Sequence, residues 1–194
     1  MANAKPIHFD SCGVKCAADL YLPDAGTYAY PRPGVVMGHG LSIIKSALVQ
    51  QATYLANAGY VVMAIDYRTF GESEGEPRAQ IWPLDQVEDF RNAITWLEQR
   101  TELVIPDRIG IWGVSFGGGV VLYTAAIEPR VKVVVITRLG AEGCLCTGVG
   151  GHAATEDVYA RRHYRPVSAG ALYHRRALHW HCRGRPQLCG GLHA

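Results

Sequence analysis

The 194-residue chain is 48% hydrophobic and 19% charged, with a net charge of +2. That composition supports one folded core and excludes a disordered chain, and it lacks the bulk charge of a nucleic-acid binder. No apolar run approaches the ~18 residues of a membrane span, and "MANAKPIHFD" lacks the apolar stretch of a secretory signal, so the sequence reads as soluble and cytoplasmic.

"IHFDSCGVKCAADLYLP" (7–23) is expected to form two short strands joined at Ser11-Cys12-Gly13. In the second, Val14, Cys16, Ala18, Leu20 and Leu22 alternate with Lys15, Ala17, Asp19 and Tyr21, the pattern of a half-buried antiparallel strand. "DAGTYAYPRPG" reads as a loop, with Pro31 and Pro33 opposing regular structure. "GVVMG" (34–38), "GYVVMAID" (59–66), "RIGIWG" (108–113) and "VKVVVIT" (131–137) are short apolar runs suited to a parallel sheet buried on both faces. Helices are expected over 42–58, 83–100 and 115–127. The second carries Val87, Phe90, Ile94 and Leu97 at three- and four-residue steps behind Pro83. This alternation predicts an α/β fold with helices on both faces of a mostly parallel sheet.

After Thr137 the rhythm stops, which divides the chain into a core, 1–137, and an atypical tail, 138–194. The tail holds no Ile, Phe, Met or Lys, and eight Arg against two Glu and one Asp give it +5, leaving −3 for the core. No helix or strand is legible there. GC-rich DNA read out of frame would give that bias. The tail is therefore expected to be a frameshifted or mis-spliced end, poorly ordered and without function, and such a chain would be inactive or nearly so. Cys144, Cys146, His179, His181, Cys182 and Cys189 offer metal-ligand types, but not at a common zinc spacing. The Arg-rich stretches "ARRHYR" and "HRRALHWHCRGR" read as solvated charge rather than a phosphate-binding surface. The six cysteines, including Cys12 and Cys16, are expected to be free thiols.

"GVSFGGG" (113–119) carries the chemistry. Ser115 follows a buried run and opens a helix, the context of a nucleophile held above the sheet on a sharp turn. Gly113 and Gly117 avoid a clash in the bend, and Gly118 and Gly119 would let the helix pack closely. The bland alternative is a Gly-rich turn with Ser115 as N-cap. An acyl-transfer site also needs two backbone N–H groups on the carbonyl oxygen. Phe116, after the nucleophile, supplies one. Leu41, in "GHGLS" at the end of an earlier strand, supplies the other. The alternative there is an ordinary turn with Ser42 as N-cap. His39 reads as structural, since it precedes the serine in the chain.

"GHGLSIIK", "GYVVMAIDYRTFGESEG" and "DRIGIWGVSFGGG", in that order over about 7–137, resemble the α/β-hydrolase superfamily. Within it the chain is similar to the dienelactone-hydrolase-like and Xaa-Pro-peptidase-like serine hydrolases. Dienelactone hydrolases proper use cysteine, so Ser115 favours esterase- or peptidase-like members. The resemblance implies hydrolysis of a small-molecule ester, amide or lactone through Ser115, with no cofactor, metal, nucleic acid or membrane partner. It also implies that Asp66 and Arg68 brace a loop and that the fold is truncated or altered after the fifth or sixth strand. The family places an acid and then a histidine after the serine. Asp157 is the one Asp there, and His152, His163, His174, His179, His181 and His193 follow without the expected context. The acid and the base are therefore unknown. The alternative function is a catalytically inactive hydrolase-like protein, a truncated product or binding module lacking both.

Overall fold

A computed structural model describes residues 4–137 and the backbone of 144–148. The rest of the tail, with its histidines, Cys182 and Cys189, lies outside the described residues. Strands β1 (Ala4–Ser11) and β2 (Val14–Tyr21) form a hairpin. Cys12 and Gly13 both take positive φ, 53° and 84°, as the twist of a two-residue hairpin turn requires. β2 departs from the expected half-burial: Ala17 and Tyr21 are buried along with Cys16, Ala18 and Leu20. The reason is its place between β1 and β4 (Val61–Ile65), with helix α1 (Val49–Asn57) packed against it. Cys12 and Cys16 are free thiols, the second buried.

The order across the sheet is β1-β2-β4-β3-β5-β6-β7, with β3 at Arg32–Gly38, β5 at Val104–Val114, β6 at Val131–Thr137 and β7 at Cys144–Gly148. The four strands β4, β3, β5 and β6 run parallel, and β2 and β7 flank them antiparallel. Pro33, expected to keep the chain in a loop, is the second residue of β3. The register against β5 shifts there, between Arg32 and Gly34, so its missing N–H falls at an irregularity of the ladder. Among the described residues the strand–helix alternation ends at β6. β7, where no strand was legible, returns antiparallel along the edge that β6 would otherwise leave open.

Helices α2 (Pro83–Glu98) and α3 (Phe116–Ile127) pack against each other and on the sheet. Val87, Phe90, Ile94 and Leu97 of α2 meet Val36, Met63 and Ile111 in the core, as their spacing anticipates. The helix expected from Ser42 starts late. Ser42 has a φ of 59°, incompatible with an α-helical turn, and a short 3₁₀ helix (Lys45–Leu48) precedes α1.

Where α3 ends, Glu128 joins α2 to the start of β6. Its carboxylate accepts from Arg130 Nε and Nη2, each at 2.8 Å, and from Arg91 Nε at 3.3 Å. The Arg130 guanidinium holds the nearly enclosed Glu128 carboxyl at about 2, from an ordinary 4.5. A depressed carboxyl pKa stabilises the fold above the unfolded value, and that contribution disappears as pH falls through the folded one. Glu128→Gln is therefore expected to lower stability at pH 7 by up to about 3 kcal/mol. The gap between variant and parent should close between about pH 4.5 and 2. Urea unfolding at stepped pH measures it; a gap that persists at pH 2 would deny the coupling.

Candidate active site

The chain crosses from β3 to β4 on one side and then returns to β5 on the other side of β3. Neighbouring parallel strands whose connections leave in opposite directions open a crevice at their C-terminal ends. Gly38 of β3 and Gly113 of β5 are register partners beside that crevice. Two residues beyond each lie Gly40 and Ser115. A Cβ on Gly40 would come within 3.1 Å of Ser115 Cβ, so the loop after β3 lies directly against the serine.

Ser115 has φ 53° and ψ −119°, a left-handed backbone that costs a non-glycine residue of order 1–3 kcal/mol. It is exposed and makes no side-chain cap hydrogen bond, although it stands at the N-cap position of α3. The N-cap alternative therefore has no bond behind it. The bend is enforced by packing. A Cβ on Gly113 would strike the backbone of Gly117, and one on Gly117 would come within 2.5 Å of His39 O. A Cβ on Gly118 would press on Ile136 of β6 at 2.6 Å, which accounts for that glycine as helix packing. Gly119 was expected to serve the same end; among the described residues nothing lies within 4 Å of its Cβ position.

Phe116 is the first residue of α3, so its N–H has no partner inside the helix. Leu41 sits in the turn beyond β3, half exposed. No hydrogen bond joins either N–H to another described backbone group. The orientation of the Leu41 N–H follows from His39. His39 is buried, its Nδ1 lies 2.9 Å from Gly40 O, and Tyr67 N–H approaches its Nε2 at 3.5 Å. Burial lowers its pKa, so the ring is neutral at pH 7, with Nδ1–H donating to Gly40 O. Because the peptide is planar and trans, fixing Gly40 C=O toward His39 turns the Leu41 N–H of the same peptide the opposite way. His39 is structural, as expected, and what it holds is the loop beside the serine.

Asp66 and Arg68 hold the next loop. Buried Asp66 accepts Lys45 N–H at 2.7 Å and Glu72 N–H at 3.0 Å, and Lys45 Nζ lies among Asp19, Asp66 and Glu72. Arg68 bonds Asp89 of α2 through its backbone N–H at 2.9 Å and its Nε at 2.8 Å. Ser11 Oγ donates to the same carboxylate at 2.6 Å. Burial raises the Asp89 pKa, opposed by Arg68 and Ser11. Asp89 escaped the sequence reading. The available signal was its place between Val87 and Phe90, on the flank of the buried stripe of α2. Among the described residues, no group of three or more His, Cys, Asp or Glu could hold a metal ion, and no helix is long and apolar enough to cross a membrane.

Residues 12–166 match the model of the X-Pro dipeptidyl-peptidase (S15) family. The chain belongs to that family. It is the second of the two serine-hydrolase groups that the sequence resembles, and the fold is that of the α/β-hydrolases. The chain is 41% identical over 130 residues to the quorum-quenching protein AidA of Acinetobacter baumannii, covering 66% of this chain and 41% of that protein. It is 35% identical over 124 residues to the thiohydrolase aneE of Aspergillus aculeatus, covering 63% and 37% respectively. A hypothetical protein of Pseudomonas aeruginosa superimposes with a TM-score of 0.66 at 33% identity, over 70% of this chain and 42% of that one. The α/β hydrolase GrgF of Penicillium sp. sh18 does so with a TM-score of 0.64 at 29% identity, over 69% and 45%. This S15-family chain thus spans less than half the length of each of these relatives.

Proposed function

We propose that the chain carries a serine-hydrolase site that cleaves a small-molecule ester, amide or lactone with Ser115 as nucleophile. The observation that carries this reading is the exposed, left-handed Ser115 at the crevice between β3 and β5, with Gly40 against it. Ser115 Oγ attacks the carbonyl carbon and a base takes its proton. The carbonyl oxygen becomes an oxyanion, held by the N–H groups of Phe116 and Leu41 and by the positive end of α3. Collapse expels the protonated leaving group, and water then releases the acyl group from Ser115. No step calls for a cofactor or metal.

The base and its acid partner are to be sought in 138–194 or in a longer form of the protein. Among the described residues the histidines are His8, on the edge hairpin, and the engaged His39. That observation favours a second reading, a hydrolase-like chain that binds without turnover.

The role of Leu41 rests on its N–H and not on its half-exposed side chain. Leu41→Ala is expected to keep most esterase activity. Leu41→Pro removes the donor and is expected to cost about 10²–10³-fold in rate. Equal rates for the two variants, with unchanged circular dichroism, would remove Leu41 from the oxyanion hole.

A further inference from the structure

A cleft of about 400 Å³ opens between the loop after β3 and the loop after β4. Ile43, Ile44, Phe70, Ala79 and Ile81 line it, together with Ser42, next in the chain after Leu41. We propose that this cleft is the subsite for an apolar chain of the substrate, which enters it by passing over Leu41 from the carbonyl at Ser115. The proposal rests on the nucleophile reading and adds to it the class of substrate.

Three observations carry it. The first is position. β4, β3 and β5 are adjacent, so the loops after β4 and β5 stand about 10 Å apart, two strand spacings. The loop that would hold the oxyanion forms the wall between them. An acetyl group is too short to cross it, and a chain of medium length crosses it and enters the cleft.

The second is chemistry. Two polar side chains of the lining, Thr69 and Arg78, are already engaged. Thr69 Oγ1 donates to Gln80 O at 3.2 Å, and the Arg78 guanidinium is held by the carbonyls of Gly71, Ser73 and Gly75. The surface left to an occupant is mainly the isoleucines, Phe70 and Ala79, which favours hydrocarbon over a charged or sugar-like group.

The third is backbone strain. Five described non-glycine residues have positive φ: Cys12, Ser42, Thr69, Ala79 and Ser115. Cys12 makes the hairpin turn and Ser115 the elbow. The other three all line this cleft. Strained backbone persists where the surrounding structure overrides it, and it gathers at sites that must keep their shape for a ligand.

Calorimetric titration of the Ser115→Ala protein with octanamide and acetamide tests the proposal without requiring turnover. Octanamide keeps the carbonyl and adds the chain. It is expected to bind more tightly than acetamide by about tenfold or more, since each methylene taken from water adds roughly fourfold. Ile44→Trp, which fills the cleft from an extended backbone, should remove that difference. Ile81→Asp, which places a charge at its rim, should do the same. Equal binding of the two amides, or octanamide binding unchanged in both folded cleft variants, would overturn the subsite. The nucleophile reading fails separately, if Ser115→Ala keeps esterase activity.

Discussion

Ser115→Ala is expected to abolish any hydrolysis of p-nitrophenyl acetate that the chain carries out and leave the fold intact. The loss should be large, because in the proposed mechanism the hydroxyl oxygen forms the covalent bond. Removing a triad nucleophile leaves only the catalysis of the oxyanion hole and of binding. The fold should tolerate the change for a reason visible at the site. Ser115 makes no cap hydrogen bond, and alanine presents the same Cβ to the same left-handed backbone. The stability change should stay within about 0.5 kcal/mol. Activity that survives at the parent rate would reduce "GVSFGGG" to a turn.

The largest structural effect should come from Asp89→Ala. Its carboxylate is fully buried and receives Arg68 and Ser11. This brace ties the β1–β2 hairpin, the loop after β4 and α2 to one another. Removing the carboxylate leaves a mostly enclosed guanidinium with only the half-exposed Asp85, 3.8 Å away, as counter-ion, and breaking such a pair costs up to about 3–5 kcal/mol. Replacing both partners with apolar residues, Asp89→Leu with Arg68→Met, should recover much of that loss, since no charge is then left uncompensated. Urea unfolding of the single and double variants decides it. A double variant no more stable than Asp89→Ala would mean that the polar brace itself, and not the stranded charge, carries the stability.

The parallel strands were legible because each is a short apolar run, and α2 because its buried side chains recur at helical steps. The edges were less legible. β2 reads as alternating, yet it is buried on both faces because α1 covers the side of Ala17 and Tyr21, and no local pattern announces that cover. Ser42 reads as a helix start, but the loop that packs against the elbow forces it to positive φ. The tight turn at Ser115 was legible from its glycines, although among the described residues nothing packs on Gly119. The role of His39 was legible only as a negative, since its order in the chain excludes it from the triad. Its grip on Gly40 O depends on the meeting of β3 with the loop after β4, which a single sequence does not display. Asp89 was hidden for the same reason: its partners Arg68 and Ser11 lie 21 and 78 positions away.

The central claim is that Ser115 is a built nucleophile. Treatment of the full chain with a fluorophosphonate, followed by peptide mass spectrometry, tests it most directly. The hydroxyl must attack phosphorus as it would attack a carbonyl, and the same N–H groups must hold the oxygen. The account predicts one adduct, on Ser115, absent from Ser115→Ala, while the exposed Ser42 and Ser46 stay unmodified. No adduct on Ser115, or labelling spread equally over the exposed serines, would contradict it and leave the chain as a hydrolase fold without an activated serine.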